Sequence, residues 1–175
     1  MKSLLQIAFF LSSVRASLKV LSPIRLSKAI DKNGSGIIPS SLGNFGHIDY
    51  GATTLGQIVQ PRAGNILGCQ RFSKEDLPER DSTQNLFIMV QRGGCPNQQK
   101  VRNVQEAGGV VAIIADNVEE QVNELVMEGE SSGSTTPLNI PGYMIEKHVA
   151  ELIQDELLKG AVYLKSELEI KNESE

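Results

Sequence analysis

The sequence predicts an α+β fold: a sheet of mixed strands organised around one βαβ unit, with two flanking helices. Three observations carry that prediction. Leu86 to Val90 is a run of large apolar residues, too short for a core helix and suited to a buried strand. Val101, Val104 and Ala107 recur at three-residue spacing beyond Pro96 and mark one face of a helix, which Gly108-Gly109 ends. Val110 to Ala115 is a second buried strand, stopped by Asp116-Asn117. A strand, a helix and a strand within so short a stretch imply parallel strands and a right-handed crossover.

The remaining elements follow along the chain. Met1 to Ala16 reads as a signal peptide, with Lys2 as the positive region, Leu4 to Leu11 as the apolar region and Val14-Arg15-Ala16 as the cleavage pattern. Its apolar run falls well short of the ~20 residues of a membrane span, and a buried N-terminal helix is the alternative. Leu18, Val20 and Leu21 then form a first strand that stops at Pro23. Asp31 to Ser41 is a loop by composition, and the glycines from Gly43 to Gly56 mark tight turns or a ligand-facing loop. Leu55 to Gln60 is a strand closed by Pro61, and Arg71 to Gln84 is a charged surface loop. Beyond the βαβ unit, Glu128 to Pro137 is a polar excursion and Ile140 to Ile145 a strand. Ile145, Val149, Leu152, Ile153 and Leu157 mark an amphipathic helix ended by Lys159-Gly160. Val162, Leu164, Leu168 and Ile170 alternate in a final strand, and 171–175 is a polar tail.

Composition bounds the function. The 175 residues, 40% of them hydrophobic, suffice for one globular domain, with a core of Ile, Leu and Val because Trp is absent. The net charge of −4 becomes −6 once Lys2 and Arg15 leave with the signal peptide, which disfavours nucleic acid and anionic membrane as partners. No second segment has spanning length, so the mature product is expected to be soluble, in the lumen of the secretory pathway or outside the cell. Asn33-Gly34-Ser35 and Asn172-Glu173-Ser174 are glycosylation sequons. Cys69 and Cys95 in an oxidising compartment read as a disulfide rather than a metal or redox site, two free thiols being the alternative. Closing that 26-residue span is worth roughly 3.5 kcal/mol on the chain-entropy model.

Catalytic chemistry finds little support. His47 and His148 are the two histidines, and the serines cluster in loops without an adjacent base. A hydrolase would require one of these histidines beside a nucleophile in a pocket. Asp116, Glu119, Glu120, Glu124 and Glu128 lack the alternating spacing of a calcium loop and read as a solvated acidic face. The sequence therefore predicts a non-enzyme without metal or cofactor.

The central stretch also carries a family resemblance. A hydrophobic strand, Arg92-Gly93-Gly94-Cys95, Lys100, Asn103, Gln105, Ala107-Gly108 and a strand ending in Asp116-Asn117 together resemble the protease-associated (PA) domain, and Ile140-Pro141 and the following helix continue the likeness. Ser17 to Pro23, Gly43-Asn44-Phe45-Gly46, Tyr50-Gly51 and Gly56 are similar to the lumenal PA domain of plant vacuolar sorting receptors. The resemblance implies a PA domain over 17–170, folded as a β-sandwich or open barrel, and a disulfide between Cys69 and Cys95. It implies a module that binds peptide segments of cargo or of a protease, and it places ligand contacts on Arg92, Gly93, Gly94, Pro96 and Asn97. Glycines bare the backbone for an extended peptide and an arginine can fork onto a carboxylate, although a Gly-Gly turn before a helix needs no ligand. A groove beside Arg92 and the 128–137 loop is the corresponding structural expectation. The chain departs from the family at Asn97, where an aromatic is usual, and at Pro96, which stiffens the loop. It ends at Glu175 without the cysteine-rich modules and anchor of sorting receptors, and so reads as a free-standing domain. The alternative is a regulatory or structural subunit that docks a protease or receptor through a sheet edge or apolar patch.

Overall fold

The computed structural model describes residues 12–46, 51–122, 125, 127 and 137–172. Its frame is one eight-stranded sheet of β1 (Ser12–Ser22), β2 (Ile37–Ile38), β3 (Ser40–Leu42), β4 (Thr53–Val59), β5 (Asn85–Gln91), β6 (Val111–Ala115), β7 (Gly142–Ile145) and β8 (Val162–Asn172). Three helices accompany it: α1 (Ile24–Ile30), α2 (Asn97–Glu106) and α3 (Lys147–Leu157). The strand order is β2-β1-β8-β4-β5-β6-β7-β3. β2 and β3 are therefore the two ends of the sheet, yet Pro39 alone separates them in sequence. Consecutive Cα atoms lie ~3.8 Å apart, so the ends must meet, and the sheet curls into an open barrel rather than a sandwich.

Within it β4, β5, β6 and β7 run parallel, with Phe87 opposite Val111 and Ala112 opposite Gly142. The predicted βαβ unit is present as β5, α2 and β6 with its strands parallel. β5 and β6 read as unbroken apolar runs because both of their faces are covered. Phe87, Met89, Val111 and Ile113 pack with Val149 and Ile153 of α3, while Ile88, Val90, Ala112 and Ile114 pack with Val101 and Val104 of α2. Gly108, at φ +80°, ends α2 as its position predicts.

Three expectations need correction. A third helix, α1, follows Pro23, and Arg25 Nε donates to Glu156 Oε2 at 2.6 Å to tie α1 to α3. The segment 31–41 is not wholly loop: Ile37–Ile38 pairs with β1, and Ser40–Leu42 pairs with β7. The first strand begins at Ser12 rather than Ser17, its opening residues pairing with the end of β8. Residues 1–11 of the expected signal peptide, His47, Glu124 and most of the 128–137 excursion lie outside the described residues. Among the described residues no helix is long and apolar enough to cross a membrane.

Candidate functional site

The carboxyl ends of parallel strands are where open α/β sheets place their ligands, and Arg92 to Asn97 leave the sheet there, at the end of β5. Chain geometry alone does not hold this loop. Cys95 is bonded to Cys69, with a Cα–Cα distance of 5.7 Å, as the resemblance implied. Lys100, on the first turns of α2, is fully buried and has no carboxylate partner among the described residues. Its Nζ donates instead to the carbonyls of Leu67 at 2.5 Å and Gly93 at 2.6 Å. Burial lowers its pKa to about 8, because an ammonium withdrawn from water loses hydration that two carbonyls replace only in part. Gln99 Nε2 donates to the Cys69 carbonyl at 2.9 Å, and Asn103 Nδ2 to the Gly68 carbonyl at 2.8 Å. One face of α2 thus stitches the segment 67–69 and the loop at Gly93 to the same helix.

The other flank is held by charge. Arg92 Nη1 donates to both oxygens of the buried Asp116, at 2.9 and 3.0 Å, and to Glu120 at 2.6 Å. Asp116 also accepts from the backbone N–H groups of Asn117 at 2.7 Å and Val118 at 3.1 Å. These contacts fix the turn after β6 against the turn after β5. They hold the guanidinium above its usual, already strongly basic, pKa.

The five residues assigned by resemblance therefore come together as one loop, but with different parts to play. Gly94 is exposed at its crest and Gly93 half-buried beside it. Both have positive φ, +101° at Gly93 and +78° at Gly94. A Cβ on Gly94 would lie 2.9 Å from Leu67 Cδ1 and displace that side chain, and the positive φ itself favours glycine there. Pro96 caps α2 in an extended conformation and Asn97 is its first residue, both half-buried. Arg92 is already clamped by Asp116 and Glu120, which residue type alone did not reveal. Lys100 and Asn103 stood in the sequence as part of the family resemblance, but their partners are backbone carbonyls and left no sign there.

Beside the loop lies a cleft of about 150 Å³ lined by Gln91, Ala115, Asp116, Asn117, Lys147, Ala150, Glu151 and Gln154. Neither Arg92 nor any residue of 128–137 lines it, and most of that loop, beside which the groove was expected, lies outside the described residues. Of the acidic residues that are described, Asp116 and Glu120 share Arg92, while Glu119 pairs with Lys147 at 3.2 Å. Among the described residues no group of three or more potential ligands is placed to hold a metal ion. His148 is exposed, its Nδ1 3.4 Å from Glu146. Asn33 is exposed in the turn after α1.

The chain is similar to known proteins in sequence and in fold. The chain is 28% identical over 163 residues to vacuolar-sorting receptor 1 of Pisum sativum, covering 91% of this chain and 26% of that protein. It is 30% identical over 130 residues to vacuolar-sorting receptor 2 of Arabidopsis thaliana, covering 71% and 21%. The chain thus spans about a quarter of the receptors it matches. Its fold resembles that of a zinc aminopeptidase from Bacillus subtilis, with TM-score 0.56 at 15% identity over 93% of this chain and 32% of that one. An aminopeptidase from Aneurinibacillus gives TM-score 0.53 at 14% identity, covering 93% and 36%. The family model of the PA domain matches residues 54–153, more than half of the chain, and with them the whole βαβ unit, the disulfide and the Lys100 anchor. The chain belongs to the PA domain family.

Proposed function

We propose that this domain is a non-catalytic module of the secretory pathway that binds extended peptide segments of other proteins. Its contact surface is the loop Arg92, Gly93, Gly94, Pro96 and Asn97 with the adjoining cleft. One observation carries the reading: a short, glycine-crested loop is immobilised from three sides, by the Cys69–Cys95 bond, by Lys100 and by the Arg92–Asp116 pair. Pre-organisation lowers the entropic cost of association, and exposed glycine backbone suits an extended peptide. Arg92 serves first to position the loop. Among the described residues Asp116 and Glu120 are engaged by Nη1, so the opposite edge of the guanidinium is the part proposed to meet a ligand carboxylate. The similarity to vacuolar-sorting receptors supports a lumenal setting and protein cargo as the ligand class. In that setting Cys69 and Cys95 stay oxidised and Asn33 is the better placed of the two sequons.

The test is selection of peptides from a displayed random library on the disulfide-bonded domain, followed by titration of the selected sequence. Binding that falls about tenfold or more in an Arg92→Ala, Asn97→Ala variant supports the assignment. Equal binding by both proteins removes it.

A docking subunit is the second reading, and one observation favours it. Leu21, Ile24 and Ile37 are 44%, 70% and 54% exposed on β1, α1 and β2, elements that contribute nothing to the Arg92 loop. Large aliphatics left open on neighbouring elements suit a partner surface.

A further inference from the structure

The two sulfurs of the Cys69–Cys95 bond stand in unequal surroundings. Lys100 Nζ carries three N–H donors and meets three acceptors: the carbonyls of Leu67 and Gly93 and, at 3.4 Å, Cys69 Sγ. The carbonyls are strong acceptors, whereas a disulfide sulfur is a weak one. The third N–H is therefore the poorly used arm of a fully buried ammonium, and negative charge on Cys69 Sγ would use it fully. Cys95 lies on the other side of the bond, between the exposed crest at Gly94 and the start of α2. Both cysteines are half-buried, so the bond is not sealed inside the core. The Leu67 and Gly93 carbonyls also face Cys69 Sγ, at 3.9 and 3.7 Å, and oppose negative charge there. Each already accepts from Lys100, and the ammonium is both nearer and fully charged, so the cation dominates at this sulfur.

We propose that Cys95 is a site of reversible S-thiolation by a small-molecule thiol, with Cys69 as the leaving thiolate received by Lys100. The thiol gives its proton to solvent, and the resulting R–S⁻ attacks Cys95 Sγ. A bond forms between R–S and Cys95 Sγ, the Cys95–Cys69 bond breaks, and its electron pair leaves on Cys69 Sγ beside the ammonium. The incoming sulfur is oxidised to the mixed disulfide and Cys69 is reduced, so no further electron or proton is required. In reverse, the Cys69 thiolate attacks Cys95 Sγ, expels R–S⁻ and restores the bond. Exchange quickens as the pKa of the leaving thiol falls, and an adjacent lysine lowers the pKa of a cysteine. Burial, which disfavours the Lys100 ammonium in the closed form, favours its pairing once the thiolate is present. The closed bond is the resting form in an oxidising lumen; the sequence reads it as structural, and Lys100 makes it exchangeable as well. A thiolate at Cys69 competes with the Gly93 carbonyl for the same nitrogen, so S-thiolation loosens the candidate loop. That consequence rests on the peptide-binding reading, whereas the exchange itself does not.

The experiment incubates the intact, disulfide-bonded chain with reduced glutathione at neutral pH and quenches with acid. Intact mass then follows loss of the Cys69–Cys95 bond, and peptide mapping locates the adduct. The expected adduct is on Cys95, with Cys69 free. Lys100→Gln keeps a donor for the carbonyls and removes the charge, and it is expected to lose the bond about tenfold more slowly. A lysine with a structural part alone predicts the opposite, because loosening α2 exposes the bond and speeds its loss. A second measurement needs no change at Lys100. In a Cys95→Ser chain, with its fold checked by circular dichroism, the ultraviolet absorbance of the Cys69 thiolate is expected at neutral pH and is expected to vanish on unfolding in urea. An adduct on Cys69, a bond that glutathione leaves intact, exchange in folded Lys100→Gln as fast as in the parent, or no thiolate absorbance in the folded Cys95→Ser chain overturns the proposal. The exchange is read without any peptide, so its failure leaves the loop assignment standing, and failure of peptide binding leaves the exchange standing.

Discussion

Lys100 Nζ donates to the Gly93 carbonyl at 2.6 Å, so a buried ammonium on α2 and the crest of the candidate loop form one mechanical unit. The same nitrogen holds Leu67 at 2.5 Å, and the disulfide ties Cys95 to Cys69 between them. The loop's shape is set from beneath.

Lys100→Met is expected to lower stability by about 1–3 kcal/mol, because the carbonyls of Leu67 and Gly93 lose their buried donor. The pH dependence distinguishes this residue from the surface lysines. Its folded-state pKa, about 8, lies below the unfolded value near 10.5, so the unfolded chain binds more protons between those values. Stability from this group therefore rises from pH 8 to pH 10.5, and the penalty of burying the charge is fully present below pH 8. Urea unfolding across that range should show the rise in the parent and not in Lys100→Met.

Asp116→Asn removes the charge that Arg92 Nη1 grips while keeping the side-chain shape. Loss of a charge-assisted pair at a buried carboxylate, with Arg92 itself about a third exposed, is expected to cost about 1–3 kcal/mol. Chemical denaturation gives the magnitude. Hydrogen exchange should show the turns at Arg92 and at Asn117 loosening together.

The two glycines are expected to respond unequally to alanine. At Gly94 the added Cβ meets Leu67 Cδ1 at 2.9 Å and Cys69 Sγ at 3.2 Å, and φ is +78°. At Gly93 the nearest atom, Asn117 Nδ2, is 4.0 Å away, and only the positive φ opposes the change. Gly93→Ala should cost about 1–2 kcal/mol, the left-handed penalty alone, and Gly94→Ala more. Thermal melts of the two variants side by side check the order.

Reduction of Cys69–Cys95, or Cys95→Ser with Cys69→Ser, is expected to lower stability by about 2–5 kcal/mol. Lys100 and Asn103 still hold segment 67–69 to α2, so the domain should remain folded at low temperature with a reduced melting point. Calorimetry with and without reductant measures it.

Much of the fold was legible in the sequence because its central strands are buried on both faces. Leu86 to Val90 and Val110 to Ala115 show this as continuous apolar runs, and Gly108 as a stop. α1 left no comparable signal, since seven residues span fewer than two full turns and only Leu26 and Ser27 are buried. β2 and β3 are two and three residues long and split by Pro39, too short for alternation to register. The site was legible as a loop through Arg92-Gly93-Gly94-Cys95 together with the Cys69–Cys95 bond, but the rest of its anchoring was not. Backbone carbonyls such as those of Leu67, Gly68 and Gly93 leave no mark on side-chain chemistry, and Asp116 read as a strand terminator rather than the clamp on Arg92.

The most direct measurement maps a library-selected peptide onto the 15N-labelled domain by chemical-shift perturbation. Peptide recognition by the anchored loop predicts saturable shifts concentrated at Arg92, Gly93, Gly94 and Asn97 and along the cleft at Gln91, Asn117 and Gln154, weakened about tenfold by Arg92→Ala with Asn97→Ala. Shifts centred instead on Leu21, Ile24 and Ile37, with the loop resonances unmoved, would contradict it and make the apolar face the working surface.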